Sequence, residues 1–203
     1  MLDKSVVYKN IIMKMPAEKV LSTVASQLPE GFRFRLFENG DELHWARIET
    51  SVLEFESREA ALSYFTREFL PHPDQLENRC VFIVDPQGTP VATATAWFSE
   101  GPGEYRPILH WVSVEPERQG LGLGRAVVTR ALSLFPSLHP MQDVFLHTQT
   151  WSHVAIGLYH SMGFNMTKNE TFGSAQNDYE EAMQVLESFM KPELCEELRK
   201  TAV

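Results

Sequence analysis

Three glycines stand at alternate positions in Gln-Gly-Leu-Gly-Leu-Gly, residues 119 to 124. A strand-like run, 108–114, precedes them, and a helix-like run follows from Leu123. Glycine lowers stability inside a helix, so its use at the beginning of one indicates that another group approaches the backbone closely. The first N–H groups of a helix lack carbonyl partners and lie at the positive end of its dipole, where anions bind. The segment therefore predicts either a phosphate-binding loop or a tight strand-to-helix turn that binds nothing.

Two common phosphate-binding motifs do not fit this loop. A Walker loop ends in Gly-Lys followed by Ser or Thr, which the segment lacks. The dinucleotide fingerprint Gly-x-Gly-x-x-Gly fails from both possible starts, because its last position is Arg125 or Val127. A third pattern fits, in which Gln119, Gly122 and Gly124 follow a strand and a Val-x-Pro segment.

That third pattern belongs to a known family. Residues 112–126, Val-Ser-Val-Glu-Pro-Glu-Arg-Gln-Gly-Leu-Gly-Leu-Gly-Arg-Ala, resemble the acetyl-CoA motif (Gln/Arg)-x-x-Gly-x-(Gly/Ala) of the GCN5-related N-acetyltransferase (GNAT) family. Residues 155–164, Ala-Ile-Gly-Leu-Tyr-His-Ser-Met-Gly-Phe, resemble its helix-then-Gly-Phe segment. Either block alone is a weak signal, but the two stand in the family's order and separation. The resemblance is strong over about 80–165 and extends back to residue 32.

The resemblance implies acetyl-CoA as a co-substrate. The amides of 119–125 would hold the CoA diphosphate, and the Arg125 side chain would add positive charge. Val112 and Val114 would pair their backbone with the pantetheine arm. Ser152 replaces a family asparagine and could cap the next helix while reaching the pantetheine. The implied cofactor-binding residues are Val112, Val114, Gln119, Gly120, Leu121, Gly122, Leu123, Gly124, Arg125, Ser152 and Tyr159.

Acetyl transfer from a thioester to an amine makes three chemical demands. The amine must lose a proton, although an amine of pKa ~10.4 is almost wholly charged at neutral pH. The carbonyl oxygen needs a hydrogen-bond donor as it becomes an oxyanion. The departing thiolate, with a pKa of roughly 8.5, must take up a proton, which a tyrosine of pKa ~10 can supply.

Tyr159 is the predicted acid. It stands where the family often carries its tyrosine acid, four residues before Gly-Phe. The alternative is a core aromatic, because Ala155, Leu158 and Met162 share its helical stripe. A tyrosine can serve both purposes, with its ring packed and its hydroxyl exposed.

His110 is the predicted base, with Glu104 as its rival. Strand alternation places His110 on one face with Val112 and Val114. The run Leu-His-Trp-Val-Ser-Val also resembles the arylalkylamine branch of the family, which has a histidine at this position for water-linked deprotonation. A structural role for the histidine is the alternative. By family analogy, the Val112 N–H would be the oxyanion donor.

The sequence predicts a succession of helices and strands along the chain, with one β-hairpin among them. Asp-Pro-Gln-Gly-Thr-Pro between the apolar runs of 80–98 is turn chemistry and predicts that hairpin. Ser57 before a helical pattern is a cap signal. Strands are predicted at 5–13, 32–38, 108–114 and 143–150 and from Phe164, and helices at 16–28, 42–55, 57–70, 123–135, 152–162 and 179–190, with a last short one from Pro192.

This order predicts a mixed α/β (α+β) fold with one sheet. The resemblance specifies it as the GNAT-like acyl-CoA N-acyltransferase fold, with one central, mostly antiparallel mixed sheet flanked by helices. We expect a single domain over 1–203, with an N-terminal extension at 1–30, the best-matched core at 80–165 and a helical C-terminal extension at 170–203. The family's final strand is not evident.

Charge and composition limit the classes of partner that we expect the protein to bind. The chain has 203 residues, of which 43% are hydrophobic, enough for a sizeable core. Its 18 basic and 27 acidic residues give a net charge of −9, which disfavours nucleic acid and favours cationic substrates weakly. Cys80 and Cys195 lack disulfide or metal spacing, and we expect no metal. Without a signal peptide or membrane-spanning run, we expect a cytoplasmic protein that binds no membrane. The resemblance implies a monomer or a homodimer.

The resemblance implies an enzyme that transfers the acetyl group of acetyl-CoA to a primary amine of a small molecule or peptide. The transfer would occur by direct attack in a ternary complex. The alternative is an acyl-CoA-binding sensor or interaction module that keeps the fold without turnover. A transferase of longer acyl chains also fits, because the loop contacts the CoA and not the acyl group.

Overall fold

The structure, a computed structural model, describes residues 2–101, 104–171 and 175–203, and the side chains of these except 100, 101 and 104. The strands are β1 (Asn10–Met15), β2 (Arg33–Leu36), β3 (Cys80–Val84), β4 (Pro90–Gly101), β5 (Glu104–Val114), β6 (Val144–Gln149) and β7 (Asn165–Met166). The helices are α1 (Ala17–Leu21), α2 (Asp41–Ser51), α3 (Arg58–Glu68), α4 (Pro73–Arg79), α5 (Leu123–Leu132), α6 (Phe135–Leu138), α7 (His153–Ser161), α8 (Tyr179–Leu186) and α9 (Pro192–Thr201).

The seven strands form one sheet in the order β2-β3-β4-β5-β6-β1-β7. β5 and β6 pair in parallel, whereas β1 pairs antiparallel with both of its neighbours. The predicted mixed α/β fold with a mostly antiparallel sheet is therefore confirmed.

The contacts divide the chain into two compact units, and β4 and β5 contribute residues to both. The first unit contains 23–97 and 109–138, and the second contains 2–22, 98–108 and 139–203. The single domain over 1–203 stays a prediction.

The first unit contains the predicted hairpin of β3 and β4. Every residue of β3 is buried, as its run of apolar residues indicates. Its register with β4 places Cys80 opposite Thr95 and Ile83 opposite Ala92. Asp85 closes the turn, because its Oδ1 accepts hydrogen bonds from two turn amides at 3.0 and 2.9 Å.

An aromatic cluster lies between α2, α3 and β5 in the same unit. Trp45 of α2 is fully buried, and its ring centroid lies 5.0 Å from that of Phe65 and 5.4 Å from that of Trp111. Ser57 caps α3 as predicted, since its Oγ accepts the Ala60 amide at 3.2 Å.

We expect Asp41→Asn to lower the free energy of unfolding by about 2 kcal/mol. Asp41 is 4% exposed and accepts two hydrogen bonds from Arg35, at 2.7 and 2.8 Å, and one from the Glu38 amide at 2.7 Å. The change removes the buried charged partner of the Arg35 guanidinium, at the point where β2 connects to α2. Urea denaturation measures the loss.

Glu38→Gln is the matched control for this prediction. Glu38 also contacts Arg35, at 2.9 Å, but its side chain is 70% exposed. Because exposed ion pairs contribute little, we expect a loss below about 0.5 kcal/mol. Equal losses in the two variants would contradict the assignment of the Asp41 pair as the stabilising one.

The second unit is built around β1, which comes from the segment expected to be an N-terminal extension. β1 pairs with β6 from Asn10 opposite Gln149 to Met15 opposite Val144. On its other side it pairs with β7, where Met13 stands opposite Met166. β7 therefore has β1 as its partner, and the chain after it continues into α8 and α9 as predicted.

Several elements differ from their predicted ranges, among them β1, predicted at 5–13, and α2, predicted to extend to residue 55. α1 is a five-residue helix ending at Leu21, because Thr23 and Val24 are weak helix formers. α5 ends at Leu132, and Pro136, expected to end it, lies inside α6. α4 was not predicted, although Pro73 fits the first turn of a helix.

Candidate functional site

The glycine-rich segment forms the loop before α5 and its first residues. Gly120 and Gly122 both have φ of 79°, in the left-handed region that favours glycine. Gly122 is the N-cap of α5. A Cβ added at either glycine would meet no atom within 4 Å. Packing within the chain therefore does not exclude a side chain here, and the backbone is open to an approaching group.

The amides of this segment are available to an anion. In the described part of the chain, no backbone carbonyl accepts a hydrogen bond from the amides of 120–124. The ladder of α5 begins with the Ala126 amide, which donates to the Gly122 carbonyl at 3.1 Å. The first turn of α5 carries no acidic residue that would repel an anion. This geometry suits a phosphate-binding loop, and the binding role of its residues stays a prediction.

Side chains of helix α2 contact alternate residues on one side of β5, and one residue just after its end. The pairs are Trp45–Trp111, Glu49–Ser113 with 2.8 Å between Oε2 and Oγ, and the ion pair Arg47–Glu115. Val112 and Val114 lie between these positions, so strand alternation directs their side chains to the other side. Helix α2 therefore packs against the face of this strand segment opposite to the side chains of the two valines that are predicted to pair with pantetheine.

Trp111 interrupts the regular geometry of β5. Its φ is 48°, an outlier for a bulky residue. Local distortions of this kind bend a strand and are frequent next to active sites. His110 precedes it, and the His110 ring lies 5.2 Å from the Trp111 ring and 6.3 Å from that of Phe69. The histidine therefore contacts the aromatic cluster, and its role as base stays a prediction.

Gln119 and Glu104 are two further residues of the predicted site, at opposite ends of β5. Gln119 Nε2 donates to the Val114 carbonyl oxygen at 3.0 Å, so the loop and the end of β5 come together. Glu104 begins β5, but its side chain lies outside the described residues.

Asp85 connects the β3–β4 turn to the residues before the loop. Its Oδ2 accepts a hydrogen bond from Arg118 at 3.1 Å, and its side chain is 5% exposed. The turn around Asp85 could be predicted from the sequence, whereas this long-range partner could not.

Ser152 and Tyr159 lie in the second unit. Ser152 is the N-cap residue of α7, but its side chain makes no capping hydrogen bond, so that expectation was wrong. Tyr159 is 7% exposed, and its ring lies 6.0 Å from that of Phe164. Its packing fits the core aromatic predicted from the stripe on α7, and its role as acid stays a prediction. α7 ends before Gly163, as expected.

Glu49 is a buried acidic residue that the sequence analysis missed. It is 0% exposed, and burial raises its pKa to about 8. A signal was present, because Glu49 stands on the apolar stripe that Trp45, Ile48 and Val52 form along α2.

The described residues contain neither a cluster of metal ligands nor a membrane-spanning helix. Within residues 2–101, 104–171 and 175–203, no three His, Cys, Asp or Glu side chains gather as metal ligands. None of the helices in these ranges is long and apolar enough to cross a membrane. Cys80 and Cys195 are both free and buried, and the cytoplasmic setting stays a prediction. A pocket of about 450 Å³ is lined by Arg47, Thr50, Ser51, Arg58, Glu115, Pro116 and Glu117.

Comparisons with known proteins agree with the resemblance. The model of the acetyltransferase (GNAT) family matches residues 43–164, more than half of the chain. A mycothiol acetyltransferase of Rothia mucilaginosa is 26% identical over 174 residues, which cover 79% of this chain and 49% of that protein. A mycothiol acetyltransferase of Thermobispora bispora is 31% identical over 147 residues, which cover 69% of this chain and 48% of that protein.

Solved structures show the same fold. A GCN5-related N-acetyltransferase from Sphaerobacter thermophilus aligns with a TM-score of 0.59 and 21% identity, over 79% of this chain and 49% of that one. The chain spans about half the length of the curated relatives it matches. The family model and the Thermobispora relative cover enough of the sequence to assign it, and the chain belongs to the GNAT acetyltransferase family.

Proposed function

We propose that the chain transfers the acetyl group of acetyl-CoA to a primary amine, by direct attack in a ternary complex. One observation carries the proposal: the amides of 120–124 have no partner in the described chain, and a Cβ added at Gly120 or Gly122 would meet no atom within 4 Å. A diphosphate fits such a set of donors at a helix N-terminus. In a member of an acetyltransferase family, the diphosphate to expect there is that of CoA.

The roles of the binding residues follow from this assignment. The amides of 120–124 and the positive end of α5 hold the diphosphate, and Arg125 adds a positive charge. The backbone of Val112 and Val114 pairs with the pantetheine arm. Acetyl-CoA supplies the activated thioester, and the chain supplies orientation and proton transfer.

Three groups of the chain act on the reacting atoms. His110 accepts the proton of the attacking amine, directly or through water, with Glu104 as the rival base. The Val112 N–H donates to the carbonyl oxygen as it becomes negative. Tyr159 donates its hydroxyl proton to the sulfur as the C–S bond breaks and the C–N bond forms.

We expect His110→Gln to lower kcat about tenfold at neutral pH, since a general base contributes at least this much. The deficit should shrink at alkaline pH, where more of the amine is already uncharged. His44→Gln, on α2 of the same unit, is the control and should leave kcat unchanged. Steady-state kinetics over a range of pH checks this, and an unchanged kcat in His110→Gln would direct attention to Glu104.

The acceptor is a primary amine of a small molecule or peptide. The names of the two relatives make a mycothiol-type acceptor the first to test, and the net charge of −9 adds a weak preference for cationic amines.

The experiment is an acetyl-transfer assay with a panel of primary amines. Release of CoA thiol together with an equal amount of N-acetylated amine, identified by mass spectrometry, supports the proposal. Acetyl-CoA binding without transfer to any amine would favour the sensor alternative. A folded protein that binds no acetyl-CoA would favour the interaction module.

A further inference from the structure

Glu49 is a fully buried carboxyl group that accepts a single hydrogen bond. Ser113 Oγ donates to its Oε2 at 2.8 Å, and within the described residues its Oε1 has no partner. A buried carboxylate is strongly unfavourable unless it is paired, whereas the neutral acid loses much less on burial. Burial raises the pKa of Glu49 to about 8, so the neutral acid predominates at neutral pH.

The described groups that interact with Glu49 include no cation that would stabilise its ionised form, so they favour the neutral acid. Glu54, from the segment after α2, raises its pKa further, and the Ser113 hydrogen bond of β5 lowers it. Tyr64 of α3 and Cys80 of β3 also interact with it. Burial raises the pKa of both, so they are uncharged at neutral pH. None of these interacting groups from α3, β3 and β5 is a cation.

The hydrogen-bond partner of Glu49 stands between two residues assigned to acetyl-CoA. Ser113 is flanked by Val112 and Val114, and Trp111 before them has a left-handed backbone with φ of 48°. Because that residue departs from strand geometry, regular pleating alone does not fix the segment after it. The contact from α2 to Ser113 lies at the centre of the segment.

We propose that Glu49 is a positioning residue, which fixes through Ser113 the β5 backbone that binds acetyl-CoA. The inference rests on the proposed function, because that function assigns Val112 and Val114 to the pantetheine arm. Ionised Glu49 would be a buried charge for which the described residues supply no counter-ion, and the strand segment must then move to hydrate it. Acetyl-CoA therefore binds best to the form in which Glu49 keeps its proton.

The test compares acetyl-CoA titrations of the wild type and Glu49→Gln at two pH values. With a pKa of about 8, linkage of binding to one proton makes Kd of the wild type rise about tenfold from pH ~7 to ~9. Glutamine still accepts from Ser113 but cannot ionise, so its Kd should match that of the wild type at the lower pH and lack the rise. An equal rise in both proteins overturns the proposal.

Ser113→Ala is the second variant, because it removes the hydrogen bond and keeps the carboxyl group. We expect its Kd for acetyl-CoA to be higher at both pH values, by about fivefold, the loss of one hydrogen bond. A lower melting temperature with unchanged Kd would show a merely structural contact and overturn the proposal. Failure of the wild type to bind acetyl-CoA at neutral pH would instead contradict the proposed function itself.

The stability of the unliganded protein supplies a readout that does not depend on acetyl-CoA. The folded-state pKa of Glu49, about 8, lies above its usual value of 4.5, so the folded protein binds the extra proton between these values. Its stabilising contribution is full below the lower value and is lost as the pH rises through the higher one. Between these two values, each added pH unit should raise the unfolding constant of the wild type by a further factor of up to about ten relative to that of Glu49→Gln. Identical slopes would overturn the neutral-acid assignment.

Discussion

Gly122→Ala is expected to raise the Kd for acetyl-CoA about thirtyfold, equivalent to about 2 kcal/mol. The glycine has φ of 79° and caps α5, and a Cβ there would meet nothing within 4 Å of this chain. The added methyl group would therefore occupy the space through which the diphosphate approaches the amides. Loss of one or two charge-assisted hydrogen bonds accounts for the magnitude.

Gly88→Ala is the matched control for this variant. Gly88 has φ of 85° in the β3–β4 turn of the same unit, and a Cβ there makes only an ordinary contact, at 3.8 Å, with Arg33. Both alanines bear the same left-handed strain, about 1 kcal/mol, so both melting temperatures should fall by similar amounts. Only Gly122→Ala should lose affinity. Equal affinities for acetyl-CoA in the two variants would remove the loop from the binding site.

Tyr159→Phe is expected to lower kcat about a hundredfold while Kd for acetyl-CoA stays within about twofold. The ring is 7% exposed and packs 6.0 Å from Phe164, and phenylalanine preserves that packing. The change removes the hydroxyl that protonates the departing sulfur, so the chemical step slows and binding does not. Steady-state kinetics and calorimetric titration on the same preparation separate the two effects.

Tyr179→Phe is the control for Tyr159→Phe. Tyr179 of α8 is also buried in the second unit, at 4% exposure, and the same atom is removed. We expect its kcat to equal that of the wild type. If Tyr159→Phe lowers the melting temperature but leaves kcat unchanged, Tyr159 is a core residue alone.

Features that depend on neighbours in sequence could be predicted. The Ser57 cap, the hairpin turn at Asp85 and the end of α7 before Gly163 each follow from the preference of one residue type for one backbone conformation. The start of α5 at the glycine-rich loop follows in the same way, with Gly122 as its N-cap. The position of the loop at the start of α5 could therefore be predicted, and the binding role of its residues stays a prediction.

Features that depend on distant partners could not be predicted. β1 lies inside the sheet because Asn10–Met15 pairs with a strand more than a hundred residues later. The pattern of residue types along a strand does not indicate which other strand it pairs with. The position of Glu49 on an apolar stripe indicates burial, but only the fold brings Ser113 to it. The left-handed backbone of Trp111 is likewise unexpected, because a bulky residue has no local preference for it.

Calorimetric titration of the purified chain with acetyl-CoA at neutral pH shows whether the loop before α5 binds this co-substrate. We expect saturable one-to-one binding that Gly88→Ala retains and Gly122→Ala largely loses. A wild type that shows a cooperative melting transition but no binding would contradict it, and the open amides of 120–124 would then belong to a strand-to-helix turn alone.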